Sequence, residues 1–398
     1  MTATNEMASA LETAADQSVC APSGPSQIVL VLQGGGALGA YQGGVYEALH
    51  EAGIEPDWII GTSIGAINAS IIAGNKGDDR LPKLQEFWRR LQRQRTLGPP
   101  FPWPEFHEAI SGWQTLINGV PGLFRLNPLA FFGAHFPLGT EHASFYSAAP
   151  LEASLLELVD FSFLNRSSTR LTVGAANVRT SKMHYFDTRE MPLTMKNVMA
   201  SAALPPAFPP VHIDGEYYWD GGILSNTPTE AIFDDYPRHD SLVFGVNVWN
   251  PMGAEPKTIW EVLHRHKDIQ YSSRIANQIV REQQVHRLRH IITELVGRMP
   301  EKVRNTPEVR DLAGYGCVTH MHIVTLLAPR LENEGHIKDI DFSASGIRMR
   351  WDAGYAHTAR ALERAPWKNE FDPMEGVILH EPMPAEFPAG DGFAPFTK

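Results

Sequence analysis

Cysteine is nearly absent: Cys20 and Cys317 are the only two in 398 residues. Two cysteines make neither a disulfide framework nor a metal cluster, which points to a reducing cytoplasm. The first twenty residues lack a basic start and an apolar core and carry Glu6, Glu12 and Asp16, so no secretory signal is expected there. Long apolar runs are missing too. The longest uncharged stretches, Gln17 to Tyr46 and Trp58 to Asn75, are rich in Gly, Ser, Thr, Asn or Gln and do not read as membrane spans. Positive charge is short: 34 Lys plus Arg against 45 Asp plus Glu leave a net charge of −11. That balance argues against a nucleic-acid groove and against a broadly polybasic membrane surface. What remains is a globular composition, 43% hydrophobic and 20% charged, which excludes a wholly disordered chain.

Residues 1–26 are small and polar, with Pro22 and Pro25, and read as a disordered leader. A buried strand, Ile28 to Leu32, then enters the glycine loop Gly34-Gly35-Gly36-Ala37-Leu38-Gly39. A helix through Tyr41, Val45, Ala48 and Leu49 stops at Gly53. A short strand, Trp58 to Ile60, runs into Gly61-Thr62-Ser63-Ile64-Gly65, and a second helix, Ala66 to Ala73, ends at Gly74. This alternation opens a parallel sheet covered by helices.

An insertion at about 98–150 holds eight prolines, ten aromatics and only four charged residues, a composition unlike its surroundings. Strands resume at Leu171 to Val178 and Lys182 to Asp187, and a helix runs from Thr194 to Leu204. A hairpin pairs His212–Asp214 with Tyr217–Trp219, turned at Gly215-Glu216, and opens into Asp220-Gly221-Gly222. Ser241 to Val248 reads as another buried strand. Apolar spacings of three or four from Lys257 to about Gly297, through Ile259, Val262, Leu263, Ile269, Ile275, Ile279, Leu288, Ile292 and Leu295, predict a long helix. A strand at Val318 to Leu327 and a helix at Ser343 to Leu362 follow. The Pro-rich end is expected to lie extended over the surface.

Two motifs carry chemistry. Gly61-x-Ser63-x-Gly65 after an apolar strand and before a helix is the nucleophile-elbow pattern, in which a tight turn projects the serine. Gly34-x-Gly36-x-x-Gly39 formally matches a dinucleotide fingerprint, but that reading needs an acid at the end of the second strand. Asp57 lies at its start. The alternative is an oxyanion hole, in which consecutive glycines present backbone N–H groups to a developing negative charge. Ser63 follows only one strand–helix unit, which fits the Ser–acid–His order of α/β-hydrolases poorly. None of the 16 histidines sits in a distinctive motif. Asp220-Gly221-Gly222 does, although as a lone string it is an ordinary glycine turn.

Together, the segments QGGGALGAYQGGVYEAL, GTSIGAINA, SAALPPAFPPV and DGGILSNTP resemble the patatin-like phospholipases. The resemblance covers roughly 28–235 and implies an α/β fold, a three-layer sandwich with a mostly parallel central sheet. It implies a Ser–Asp dyad: Ser63 as nucleophile, Asp220 as proton acceptor, and Gly34, Gly35 and Gly36 as the oxyanion loop. Gly39, Gly61, Gly65, Gly221 and Gly222 complete the motifs, with Asn226 and Pro228 matching the N-x-P after D-G-G. GIRMRWDAGYAHTARAL is similar to a C-terminal region of a bacterial subgroup. The implied organisation is a leader (1–26), a catalytic domain (27–235), a C-terminal α/β extension (236–365) and a Pro-rich tail (366–398).

No cofactor or metal is required. The expected partner is a lipid or other acyl ester, not a nucleic acid. The alternatives are an esterase, thioesterase or storage-polyester hydrolase, and, in another class, a non-catalytic lipid- or partner-binding module. Many relatives carry Arg or Lys where this chain has Leu38, so weaker preference for anionic head groups is expected. Phe101, Trp103, Phe106, Trp113, Phe124, Phe131, Phe132 and Phe136 are expected either to cap an acyl pocket and touch a lipid surface or to form a satellite core. The stretch His264, Arg265, His266, Lys267, Arg281, His286, Arg287, Arg289 and His290 is expected to be a solvated face, with transient membrane contact as the sharper reading.

Overall fold

The computed structural model describes residues 25–92, 120, 122–133, 135–330 and 338–381. Most of the expected leader, Cys20, Phe101, Trp103, Phe106, Trp113 and the tail from 382 lie outside the described residues. From β1 (Gln27–Leu32) the chain passes through the glycine loop into α1 (Ala40–Glu51), β2 (Trp58–Gly61), α2 (Ile64–Ala73) and α3 (Gly77–Leu91). Short strands β3 (Arg125–Leu126) and β4 (Tyr146–Ser147) precede α4 (Ala149–Leu158), β5 (Arg170–Asn177), β6 (Met183–Asp187) and α5 (Met195–Ser201). The hairpin β7 (Val211–Ile213) and β8 (Glu216–Asp220) leads to β9 (Ser241–Asn247), α6 (Ile259–Gly297), β10 (Met321–Leu327), α7 (Ala344–Arg364) and β11 (Val377–His380).

Nine strands form one sheet in the order β11-β10-β9-β1-β2-β5-β8-β7, with β6 pairing β5. The pairings from β11 through β5 are all parallel, while β6, β7 and β8 are antiparallel. Alternation along β1 shows why it is apolar throughout. Leu30 and Leu32 join the larger core with α1 and α2, whereas Val29 and Val31 join a second core on the opposite face. Ile279 of α6 packs into that second core, so helices cover both faces. The three-layer α/β sandwich with a mostly parallel sheet is the observed architecture.

The stretch after 235 builds no sheet of its own. β9 pairs with β1, β10 adds to β9, and β11 adds to β10. Val377 at the start of β11 is fully buried, so the segment expected to lie over the surface is partly an edge strand. The hairpin turn falls one residue earlier than expected, at Asp214-Gly215. Both have positive φ, 49° and 85°, the combination a type I′ turn requires and an Asp-Gly pair supplies. The helix over Ile259–Gly297 matches its expected span, with Thr258 and Glu261 forming a capping box. Most of its expected apolar stripe is not buried: among the described side chains Ile259, Val262, Leu263, Ile269, Leu288 and Leu295 are exposed, Ile292 is half-buried and Ile279 is buried.

α7 lies across α1 with almost no separation. A Cβ at Gly354 would sit 2.0 Å from the Tyr41 carbonyl oxygen, and one at Gly44 would sit 1.8 Å from that of Trp351. Backbone cannot yield as a flexible side chain does. Gly354→Ala should therefore destabilise the protein by about 3 kcal/mol, the upper range for overpacking a core. Denaturant unfolding checks this; an unchanged midpoint would show that α7 is not part of the core.

Candidate active site

Three chain segments meet at the carboxyl ends of the parallel strands, where open α/β sheets place their ligand sites. The first is the elbow between β2 and α2. Ser63 occupies φ 58°, ψ −126°, a conformation that a side-chain-bearing residue adopts only when its surroundings impose it. Gly65 makes the turn feasible, because a Cβ there would meet the Leu32 carbonyl oxygen at 2.2 Å. The Ser63 N–H donates to both the carbonyl oxygen and Oγ of Ser201, at 3.1 Å each. Ser201 Oγ in turn donates to the Gly174 carbonyl at 2.6 Å, tying the elbow to β5.

The second segment ends β8. Asp220 is buried, its N–H donates to the Ala203 carbonyl at 2.9 Å, and its Oδ1 accepts the Gly222 N–H at 2.7 Å. Ser63 and Asp220 line the same cavity, and the Ser63 side chain is near enough to act on the Asp220 carboxylate. Burial raises the Asp220 pKa to about 6 from its ordinary value near 3.8, partly offset by the Ser63 and Gly222 donors.

The third segment is the glycine loop. The amides of Gly35 and Gly36 have no acceptor among the described residues, and both residues line the same cavity as Ser63 and Asp220. Gly36, at φ 57°, presses on the Asp339 carbonyl. Gly34 departs from expectation. Its N–H is already bound to the Asn226 carbonyl at 3.1 Å, so the loop offers two free donors rather than three. Gly222 lines the cavity, whereas Gly39, Gly61, Gly65 and Gly221 are places of close packing beneath it.

The cavity measures about 750 Å³ and is walled largely by apolar side chains, among them Ile64, Ile67, Phe124, Met199, Phe208 and Phe342. Of the expected aromatics, Phe124 is buried in a cluster with Tyr146 and Phe208, while Phe131, Phe132 and Phe136 are exposed. His142, solvent-exposed, is the one histidine lining the cavity among the described residues.

Two other expectations change. Leu38 is 3% exposed and faces a small recess with Arg330, Lys338 and Arg350, away from the cavity. Leu38 does not line the cavity that holds Ser63 and Asp220. The basic stretch on α6 is a solvated face only in part: His266, Arg281 and Arg287 are exposed, whereas His286 and His290 are buried and Lys267 pairs with Asp339 at 2.7 Å. Asp57 accepts the Ile28 N–H at the start of β2, the opposite end of that strand from Ser63.

The family model for patatin-like phospholipase matches residues 30–233, just over half of the chain, and a second, patatin phospholipase, matches 269–374. The chain belongs to the patatin-like phospholipase family. Membership implies a lipid-hydrolysing enzyme. No curated protein matches this patatin. Among solved structures it is similar to VipD from Legionella pneumophila, at 16% identity and TM-score 0.37 over 86% of this chain and 67% of that one. It is also similar to ExoU in the ExoU–SpcU complex of the Pseudomonas aeruginosa type III secretion system, at 15% identity and TM-score 0.33. That alignment covers 87% of this chain and about half, 53%, of the ExoU chain. Among the described residues of this patatin, no helix is long and apolar enough to cross a membrane.

Sequence reasoning missed Ser201, Trp249 and Tyr271, all at the site. Ser201 lay inside a matched segment, SAALPPAFPPV, without a role. Trp249 follows a buried strand next to β1, and its position at that strand's carboxyl end was the available signal.

The Asp220 shift has a consequence for stability. The folded state binds this proton more tightly than the unfolded chain does. The stability Asp220 contributes is therefore full below about pH 4 and is lost as pH rises through about 6. Asp220→Asn keeps an acceptor for Gly222 and carries no charge. It should stabilise the protein at pH 8 by up to about 3 kcal/mol, two pKa units at about 1.4 each, and lose that advantage near pH 4. Melting curves at the two pH values check this; equal effects at both would remove the burial cost.

Proposed function

We propose that this patatin is a serine acyl hydrolase that cleaves carboxylic esters of lipids through an acyl-enzyme on Ser63. The observation that carries the reading is a strained Ser63 elbow that shares one apolar cavity with the buried Asp220 and with the Gly35 and Gly36 amides, which have no acceptor among the described residues. The ionised Asp220 takes the Ser63 proton as Oγ attacks the ester carbonyl, and the Gly35 and Gly36 N–H groups receive the oxyanion. Collapse expels the alcohol, which leaves with the proton held by Asp220. Water, deprotonated by Asp220, then attacks the acyl-enzyme; the acid departs and Ser63 recovers its proton. A pKa near 6 suits this cycle. It leaves the carboxylate mostly ionised at pH 7 yet makes it a stronger base than an exposed aspartate.

Ser63→Ala should abolish ester hydrolysis and fluorophosphonate labelling without unfolding the protein. Asp220→Asn should lower kcat by about 10³-fold or more, and the wild-type rate should rise with pH through about 6. A histidine variant as inactive as Asp220→Asn, with unchanged stability, would replace the dyad by a triad.

The exposed Phe131, Phe132 and Phe136 lie between cavity-lining residues Asn127 and Glu141 in the chain. In this reading they rest on the lipid surface and set the cavity against it. Phe131→Ser with Phe132→Ser should cut turnover of vesicle-borne ester about tenfold and spare a soluble short-chain ester. Equal loss on both substrates would assign these rings to folding instead.

A further inference from the structure

The loop that holds the two free amides has little stiffness of its own, since three successive glycines rotate readily. Its shape must be imposed from outside. The Gly34 carbonyl accepts two hydrogen bonds, from the buried Trp249 indole Nε1 at 2.8 Å and from Asn226 Nδ2 at 3.0 Å. In a planar trans peptide the carbonyl and the following N–H point in opposite directions. Holding the Gly34 oxygen toward Trp249 and Asn226 thus turns the Gly35 N–H the other way.

Trp249 is itself fixed. The fully buried Gln33, the residue before the glycines, accepts the N–H groups of Val248 and Trp249 on its Oε1, at 2.6 and 3.0 Å. Its Nε2 donates to the Tyr271 carbonyl of α6 at 3.1 Å, and the Tyr271 ring packs on the Trp249 indole at 4.9 Å between centroids. The indole N–H is therefore delivered to one carbonyl by a closed set of contacts, and Trp249 itself lies outside both matched stretches, 30–233 and 269–374.

We propose that Trp249 is a positioning residue for the oxyanion hole: its indole N–H fixes the 34–35 peptide so that the Gly35 amide faces the reacting carbonyl. This rests on the acyl-hydrolase reading above. Without the indole donor the peptide can rotate between two glycines and turn its oxygen toward the site, where it would repel the oxyanion. The loss would fall on the transition state, with substrate binding spared.

The test is Trp249→Phe in the full chain, which keeps an aromatic ring against Tyr271 and removes the donor. A second variant carries benzothienylalanine at 249, which replaces the ring N–H by sulfur with nearly the same shape and guards against misfolding of the first. Steady-state kinetics on a soluble ester are read beside the rate of Ser63 phosphonylation by a 4-nitrophenyl phosphonate, whose adduct places an oxygen in the hole. Both variants should show kcat and the phosphonylation rate reduced in parallel by about 10- to 100-fold, with KM within about twofold. That is less than the roughly 10²–10³-fold loss when an oxyanion donor is removed outright. Rates within twofold of wild type in the benzothienyl variant, or a loss seen only in KM, would overturn the proposal and leave the hydrolase reading standing. A wild-type protein that neither hydrolyses the ester nor is phosphonylated would overturn both.

Discussion

A carboxylate sealed from water with no cation beside it is the constraint around which the site is arranged. Two donors, the Ser63 hydroxyl and the Gly222 N–H, partly offset the desolvation of Asp220, and burial still dominates its proton affinity. Such a group is a cost to the fold and an asset to the chemistry. The surrounding structure has to hold it in place. β8 is anchored through the Asp220 N–H to Ala203, just after α5, and the same turn end of α5 supplies Ser201 to the elbow. Asp220 and Ser63 are thereby referred to one short helix, which fixes their relative position more tightly than two independent loops could.

The elbow adds a second cost. A serine at positive φ with ψ near −126° stores about 1–3 kcal/mol, and the bonds from Ser201 and the close fit of Gly65 against β1 hold it there. These strained and desolvated elements sit on the stiffest part of the molecule. β1, β2 and β9 are central strands buried on both faces, and displacing any of them would disrupt both cores at once.

The segment beyond residue 235 belongs to that support. β9 lies beside β1, α7 packs backbone-to-backbone on α1, and buried amides link the two regions. The Gln33 carbonyl accepts from Gln42, whose Oε1 accepts from Asn68, whose Oδ1 accepts from the Trp88 indole. Gln33, Gln42 and Asn68 are all partnered, and a network satisfied in this way specifies one arrangement of the loop and helices around it.

What the amino-acid sequence determined by itself was local. Runs of β-branched and Leu residues marked β1, β2 and β9, because strands buried on both faces admit little else. Glycines at 61 and 65 around Ser63 marked the elbow, because only hydrogen fits where backbone passes at van der Waals contact. Asp-Gly marked the β7–β8 turn, displaced by one residue, since either dipeptide at that bend contains the glycine. The helix at Ile259–Gly297 was legible in extent but not in orientation. Its apolar residues ring the helix, and packing alone chose Ile279 to bury. Tertiary structure alone decided which loop amides are free, because the Gly34 N–H is occupied by Asn226, some 190 residues away. It alone turned Leu38 away from the cavity and brought Trp249 to the glycine loop. Such facts depend on which strands become neighbours, and spacing along a chain carries no record of distance across a sheet.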